Sequence, residues 1–332
     1  MQIRFPWLSV VGACIGLFMQ APGAIAQTDL KFADSLPKSF AYHNAVLAFK
    51  KAAEEKSKTL TIRPMLEGVL GDQKSLMEAT KVGSIEICVV ASPVTQQLVP
   101  EHGIFGLPFV WTSDEAFNKF LSSPVALELG KKMEAHGLRV LTFADASPLS
   151  VMNSKRAVRT PEDMKGLKIR VMQDPMQVDM IKAMGGIPVP MGTPEVYTAI
   201  QQGQIDGNAT SPQLLWALKN HEVAKHFSQT RHGYTAAVVI MNLRKWNALS
   251  AEQKEAIEAG SKAFVVNNRA YYLDSPTTGT VQTVAAMKNA GVTVTEPDLD
   301  AFRKATSSVV HDFKKRVKSP LVDRALDEAG YK

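Results

Sequence analysis

Lys165-Gly166-Leu167-Lys168-Ile169-Arg170-Val171-Met172, closed further on by Gly203-Gln204-Ile205-Asp206-Gly207-Asn208-Ala209-Thr210-Ser211-Pro212, organises the rest of the chain. Lys168 to Met172 reads as a short strand in which apolar Ile169 and Met172 flank Arg170, before Asp174-Pro175 stops the run. A guanidinium keeps its charge and offers a planar fork of donors that fits a carboxylate through two parallel hydrogen bonds. An Arg170 turned to solvent, or paired with a nearby aspartate, fits the spacing as well.

From Gly185 the chain runs Gly-Gly-Ile-Pro-Val-Pro-Met into Thr193-Pro194-Glu195, a helix start, with Val196, Ala199 and Ile200 on one apolar face and Gly203 at its end. Ile205-Asp206-Gly207 begins a strand that leads to a polar turn at Asn208 to Ser211. With these residues, Lys165 to Pro212 resembles the signature of the periplasmic solute-binding proteins of tripartite ATP-independent (TRAP) transporters, the C4-dicarboxylate-binding (DctP) type. Asp29-Leu30-Lys31-Phe32-Ala33, Leu70-Gly71-Asp72, Phe105-Gly106-Leu107-Pro108-Phe109 and Met241-Asn242 through Trp246 follow in the family's order and spacing. The resemblance therefore covers most of residues 28–330.

It implies an α/β, two-lobe periplasmic-binding-protein fold. Each lobe is a mixed β-sheet flanked by helices, and crossing strands and a long helix join the two. It also implies that Arg170 clamps a ligand carboxylate. The chain departs from the sialic-acid-binding branch, whose second arginine falls on Ser150 and whose helper asparagine falls on Thr210. Acidic positions of that branch become Gln73 and Ala91, and a pocket phenylalanine becomes Thr193, so sialic acid is rejected as the ligand. The implied grip is Arg170 helped by Thr210 or Asn208 and by the hydroxyls of Ser150 and Thr193.

Residues 1–26 carry Arg4, an apolar run from Phe5 to Met19 and a small-residue end, Ala24-Ile25-Ala26, which reads as a secretory signal cleaved after Ala26 and a periplasmic protein. Val11-Gly12-Ala13-Cys14 is a weaker lipidation reading. The charge balance is 38 basic to 32 acidic residues, net +6, spread over short clusters such as Lys50-Lys51 and Lys314-Lys315-Arg316. No basic stripe interleaves with aromatics, so no nucleic-acid partner is expected, and an anionic small ligand fits as well.

The sequence holds only Cys14 and Cys88, so the mature chain has no internal disulfide, and Cys88 reads as a small core residue. Its seven histidines show no zinc spacing, and there is neither a Gly-x-Ser-x-Gly nor a Gly-rich phosphate loop. No metal, cofactor or catalytic residue is expected, and the protein reads as a monomer.

Leu30 to Ala33, a helix from Tyr42 to Lys56, Leu60 to Pro64, a helix from Gln73 to Lys81 and Ile85 to Ala91 make a βαβαβ rhythm. Ligands of such sheets sit beyond the carboxyl ends of strands, which puts Ser35, Asp72-Gln73 and Ser92 at one rim. Strands Leu138 to Ala144 and Leu149 to Asn153 in series, and Val238 to Asn242 later, read as crossings of a hinge. Lobe I is then 27–148 with 239–274 and lobe II 149–238 with 275–332; a long helix opened by Ser250 is interrupted near Ser275 by Pro276. The expected function is an extracytoplasmic receptor that binds a dicarboxylate, sugar acid, 2-oxo acid or related anion and delivers it to TRAP permease subunits. A secreted two-lobe enzyme acting on a small carboxylate is the alternative, and it lacks paired catalytic groups at any recognisable spacing.

Overall fold

The computed structural model describes Gln2 and residues 27–144, 147–274 and 277–331. Apart from Gln2, the stretch expected to be a signal sequence cleaved after Ala26 lies outside the described residues, as do Asp145 of the expected first crossing and the expected interruption at Ser275 and Pro276. In chain order the strands are β1 (Thr28–Ala33), β2 (Leu60–Met65), β3 (Ile87–Ala91), β4 (Leu138–Ala144), β5 (Leu149–Asn153) and β6 (Lys168–Val171). They continue with β7 (Ile187–Pro190), β8 (Gly207–Thr210), β9 (His226–Gly233), β10 (Ala237–Asn242) and β11 (Thr293–Thr295).

The first sheet has the order β2-β1-β3-β10-β4. Its first three strands are the expected parallel βαβαβ unit, and β10 runs antiparallel to both β3 and β4. Both faces are covered, so β3 is apolar throughout: Ile87 and Val89 enter one core, Cys88 and Val90 the other. Cys88 is fully buried and its thiol pKa is pushed up to about 12, chiefly by burial, so it carries no thiolate at neutral pH. Helix Ala41–Lys56 lays Ala45, Val46, Phe49 and Ala53 on one of these cores against helix Ala251–Arg269. A side chain at Gly260 would meet the Phe49 ring at 3.0 Å, so the bare glycine sets how closely these helices pack.

The second sheet has the order β11-β9-β5-β8-β6-β7. Ile169 and Val171 of β6 join Leu149 and Val151 of β5 in the core on one face, and Met152 points into the core on the other. Asn208 to Thr210, expected in a turn, instead form β8 with Gly207, paired antiparallel with β5 and parallel with β6. The physical reason lies at Gly207: an added Cβ would stand 2.1 Å from the Met152 carbonyl oxygen, so only glycine lets β8 lie this close to β5.

The chain passes from the first sheet to the second between β4 and β5 and returns from β9 to β10 through Tyr234, Thr235 and Ala236. It crosses again where helix Ala251–Arg269 continues as a π-helical turn, Ala270–Asp274, and helix Thr280–Asn289 then packs Val284 and Met287 into the second sheet's core. Helix Leu299–Val317 spans both halves, with Phe302 in the second core and Val309, Val310 and Phe313 in the first. Helix Pro320–Glu328, expected with lobe II, buries Val322, Ala325 and Leu326 in the core of the first half. Its apolar face has its partner there, beside helix Pro124–Lys131.

Candidate ligand site

Arg170 points away from the core that its neighbours Ile169 and Val171 fill, yet it is only 2 % exposed. The strands on either side hold its guanidinium. On one side is Asn208, in register with Arg170 on β8, whose Oδ1 accepts a long 3.5 Å hydrogen bond from an Nη of Arg170. On the other is the segment that follows β7: the Met191 carbonyl accepts from Nε at 3.0 Å and the Thr193 hydroxyl accepts from the second Nη at 3.2 Å. Thr193 opens the expected helical segment, a turn Thr193–Glu195 that runs on into helix Val196–Gln201, but its hydroxyl goes to Arg170 and caps no helix end.

An arginine has five N–H donors. Three are used here, so one remains on each terminal nitrogen, the pair that a carboxylate accepts side by side. No ion pair among the described residues involves Arg170. Burial lowers its pKa to about 10, with Glu195 pulling the other way, so it stays cationic at neutral pH. A buried cation without a counter-ion is costly unless an anion completes it.

That guanidinium opens on a cleft of about 490 Å³ between the two sheets. Ser35, Glu67, Asp72, Gln73 and Gln97 line it from the first half, and Arg170, Met172, Gln173, Met191 and Thr193 from the second. Gln97 donates across it to the Gln173 carbonyl at 3.1 Å. Asp72 doubles as the cap of helix Gln73–Val82, accepting from the Ser75 backbone at 2.9 Å.

Of the residues singled out from sequence, Arg170, Thr193, Gln73 and Ser35 line this cleft and Asn208 holds the arginine. Thr210 lines a smaller cavity that also includes Arg170. Ser92 and Ser150 do not join them. The Ser92 hydroxyl accepts from the Ala236 backbone at 3.1 Å, tying the end of β3 to the returning crossing, and the Ser150 hydroxyl accepts from the Arg231 backbone of the neighbouring β9 at 3.4 Å. The Met191 carbonyl, Asn220 and the glutamines at 97, 173 and 177 went unseen in the sequence. The first acts through its backbone, and the others sit in no motif. Among the described residues no group of His, Cys, Asp or Glu could hold a metal, and no helix is long and apolar enough to cross a membrane.

Residues 32–316 match the family described as bacterial extracellular solute-binding protein, family 7 (DctP). The chain is 29 % identical over 306 residues, 90 % of each chain, to the 2,3-diketo-L-gulonate-binding periplasmic protein YiaO of Escherichia coli. Among solved structures it is similar to a TRAP periplasmic solute-binding protein of Sulfitobacter sp. NAS-14.1 with bound β-D-galacturonate, at 27 % identity and a TM-score of 0.84, covering 91 % of this chain and 99 % of that one. A Polaromonas sp. JS666 counterpart bound to D-erythronate gives 28 % identity and a TM-score of 0.84, over 90 % and 98 % of the two chains. The two-lobe fold, the cleft and these relatives agree: the chain belongs to bacterial extracellular solute-binding protein family 7, the DctP family of TRAP receptors for small organic acids.

Proposed function

We propose that the ligand is a sugar acid, a polyhydroxylated monocarboxylate held between the lobes by Arg170 and handed to TRAP permease subunits in the membrane. The observation that carries this reading is the buried guanidinium with one unspent N–H on each terminal nitrogen, facing a cleft of about 490 Å³. Across the cleft, Glu67, Asp72, Gln73 and Gln97 offer acceptors and neutral donors suited to hydroxyls. A second carboxylate would meet Glu67 and Asp72 there, with Lys74 the one further cation in the wall. That balance favours a hydroxylated tail over a C4-dicarboxylate. The acids bound by the relatives, galacturonate, erythronate and diketogulonate, are of this class.

Thr193, Thr210, Gln73 and Ser35 are proposed ligand contacts and Asn208 a support of Arg170, whereas the hydroxyls of Ser92 and Ser150 accept from main-chain N–H groups. The lobes divide as 27–148 with 239–274 and 149–238 with the residues after 275, except that the terminal helix sits on lobe I. We further propose export to the periplasm with cleavage after Ala26, and a receptor that releases its ligand unaltered.

Calorimetry with D-galacturonate, D-erythronate, succinate and a 2-oxo acid, followed by mass analysis of the recovered ligand, tests the reading. A sugar acid bound at least tenfold more tightly than succinate and recovered unchanged is the expected result. Tighter binding of succinate, or turnover of the acid, contradicts it.

A further inference from the structure

Two glutamines meet Arg170 at the smaller cavity, of about 30 Å³, which shares Gln73, Arg170, Met172 and Thr193 with the large cleft. Gln73 opens helix Gln73–Val82 of the first half; Gln177 lies in helix Pro175–Ala183 of the second. They are 8 % and 3 % exposed. Gln73 Oε1 accepts from the Ala91 backbone at 2.7 Å, and Gln177 Oε1 accepts from the Met172 backbone at 3.0 Å. A backbone N–H can only donate, so both amides have a fixed sense: carbonyl to the main chain, NH₂ away from it. Neither NH₂ has a hydrogen-bond partner among the described residues. No carboxylate lines the cavity, whose polar groups are the guanidinium, these two amides and hydroxyls.

We propose that Gln177 is a ligand-binding residue: with Gln73 facing it from the other lobe, it donates its free amide N–H to the carboxylate that Arg170 holds. The proposal rests on the reading of the protein as an acid receptor. The volume suits a carboxylate end and not a whole sugar. A carboxylate has about four lone-pair sites; the two unspent N–H of Arg170 fill two, and one N–H from each glutamine fills the rest. Because one amide comes from each lobe, the anion itself ties the lobes together. Neutral donors do so without a second cation, which keeps the site selective for a single carboxylate.

Gln177→Glu is the direct test. It keeps an oxygen for the Met172 N–H and the side-chain length, but turns the NH₂ that faces the anion into a charged oxygen. Calorimetry with the best acid of the parent protein should show binding weakened about 100-fold or more, as for like charges brought together in a buried site. Gln177→Met, uncharged and of similar length, should weaken it roughly tenfold, and it decides the matter if Gln177→Glu does not fold. Binding within about threefold of the parent by folded Gln177→Glu, or within about twofold by Gln177→Met, overturns the proposal. A parent that binds none of the acids overturns the acid-receptor reading instead.

Discussion

Asn220 Oδ1 accepts from Asn208 Nδ2 at 2.9 Å, and Asn220 Nδ2 donates to the Leu218 carbonyl at 3.2 Å. A carbonyl can only accept, so Leu218 fixes the sense of Asn220, and Asn220 fixes that of Asn208. The Asn208 carbonyl is thereby turned to Arg170 and its NH₂ kept away from the cation. Both asparagines are fully buried, so neither amide can trade this partner for water.

Asn220→Ala should therefore weaken acid binding about tenfold, because a stranded Asn208 amide is free to turn its NH₂ toward the guanidinium. The same change made in an Asn208→Ala background should cost less than about twofold, since Asn220 then has nothing to orient. Calorimetry on the four proteins checks this. Losses that simply add would show that Asn220 acts elsewhere.

Asp34 is 1 % exposed; one carboxylate oxygen accepts from the Leu36 backbone and the other has no hydrogen-bond partner among the described residues. Burial raises its pKa from 3.8 to about 7. The unfolded chain gives up this proton first, so the fold loses stability as pH climbs from about 4 to about 7 and no more above that. Asp34→Asn should match the parent in thermal melts near pH 4 and exceed it near pH 8, by an amount on the order of a few kcal/mol. Equal melting curves at both pH values would mean that Asp34 is charged in the folded protein.

Ligand should draw the lobes together, because the chain passes repeatedly between the sheets and the return through Tyr234, Thr235 and Ala236 is a short segment able to absorb rotation. Arg231, just before it, already sits at φ 43°, and Tyr234 is anchored by its hydroxyl to Asp114 at 2.7 Å. Small-angle scattering should give a smaller radius of gyration at saturating sugar acid. An unchanged profile would argue for a cleft that fills without moving.

Strands β1 to β4 and β10 of the first sheet and β5 and β6 of the second were readable because apolar residues recur in each between turn and helix-cap signals, and all lie within two residues or so of where the sequence placed them. β7 was not, since Ile187-Pro188-Val189-Pro190 reads as an interruption; it exists because an edge strand tolerates proline. β9, His226–Gly233, is mostly polar and shows no alternation that marks a strand. Asn208 and Thr210 carry turn-forming chemistry, and only partners distant in sequence make it worthwhile to bury them in β8. Arg170 could be singled out as the cation between apolar Ile169 and Val171, whereas the main-chain partners of the Ser92 and Ser150 hydroxyls lie far off in sequence and leave no local signal.

Whether Arg170 holds the ligand carboxylate through a planar pair of N–H groups is decided by calorimetry on Arg170→Ala and Arg170→Lys. Removing one partner of a buried, hydrogen-bonded charge pair costs about 2–5 kcal/mol, a weakening of at least tenfold, so Arg170→Ala should nearly abolish binding of the preferred sugar acid. Lysine restores the charge but not the fork, so Arg170→Lys should recover only part of it. Folded Arg170→Ala that binds within about threefold of the parent, a difference under about 1 kcal/mol, would contradict the account and make Arg170 a structural residue.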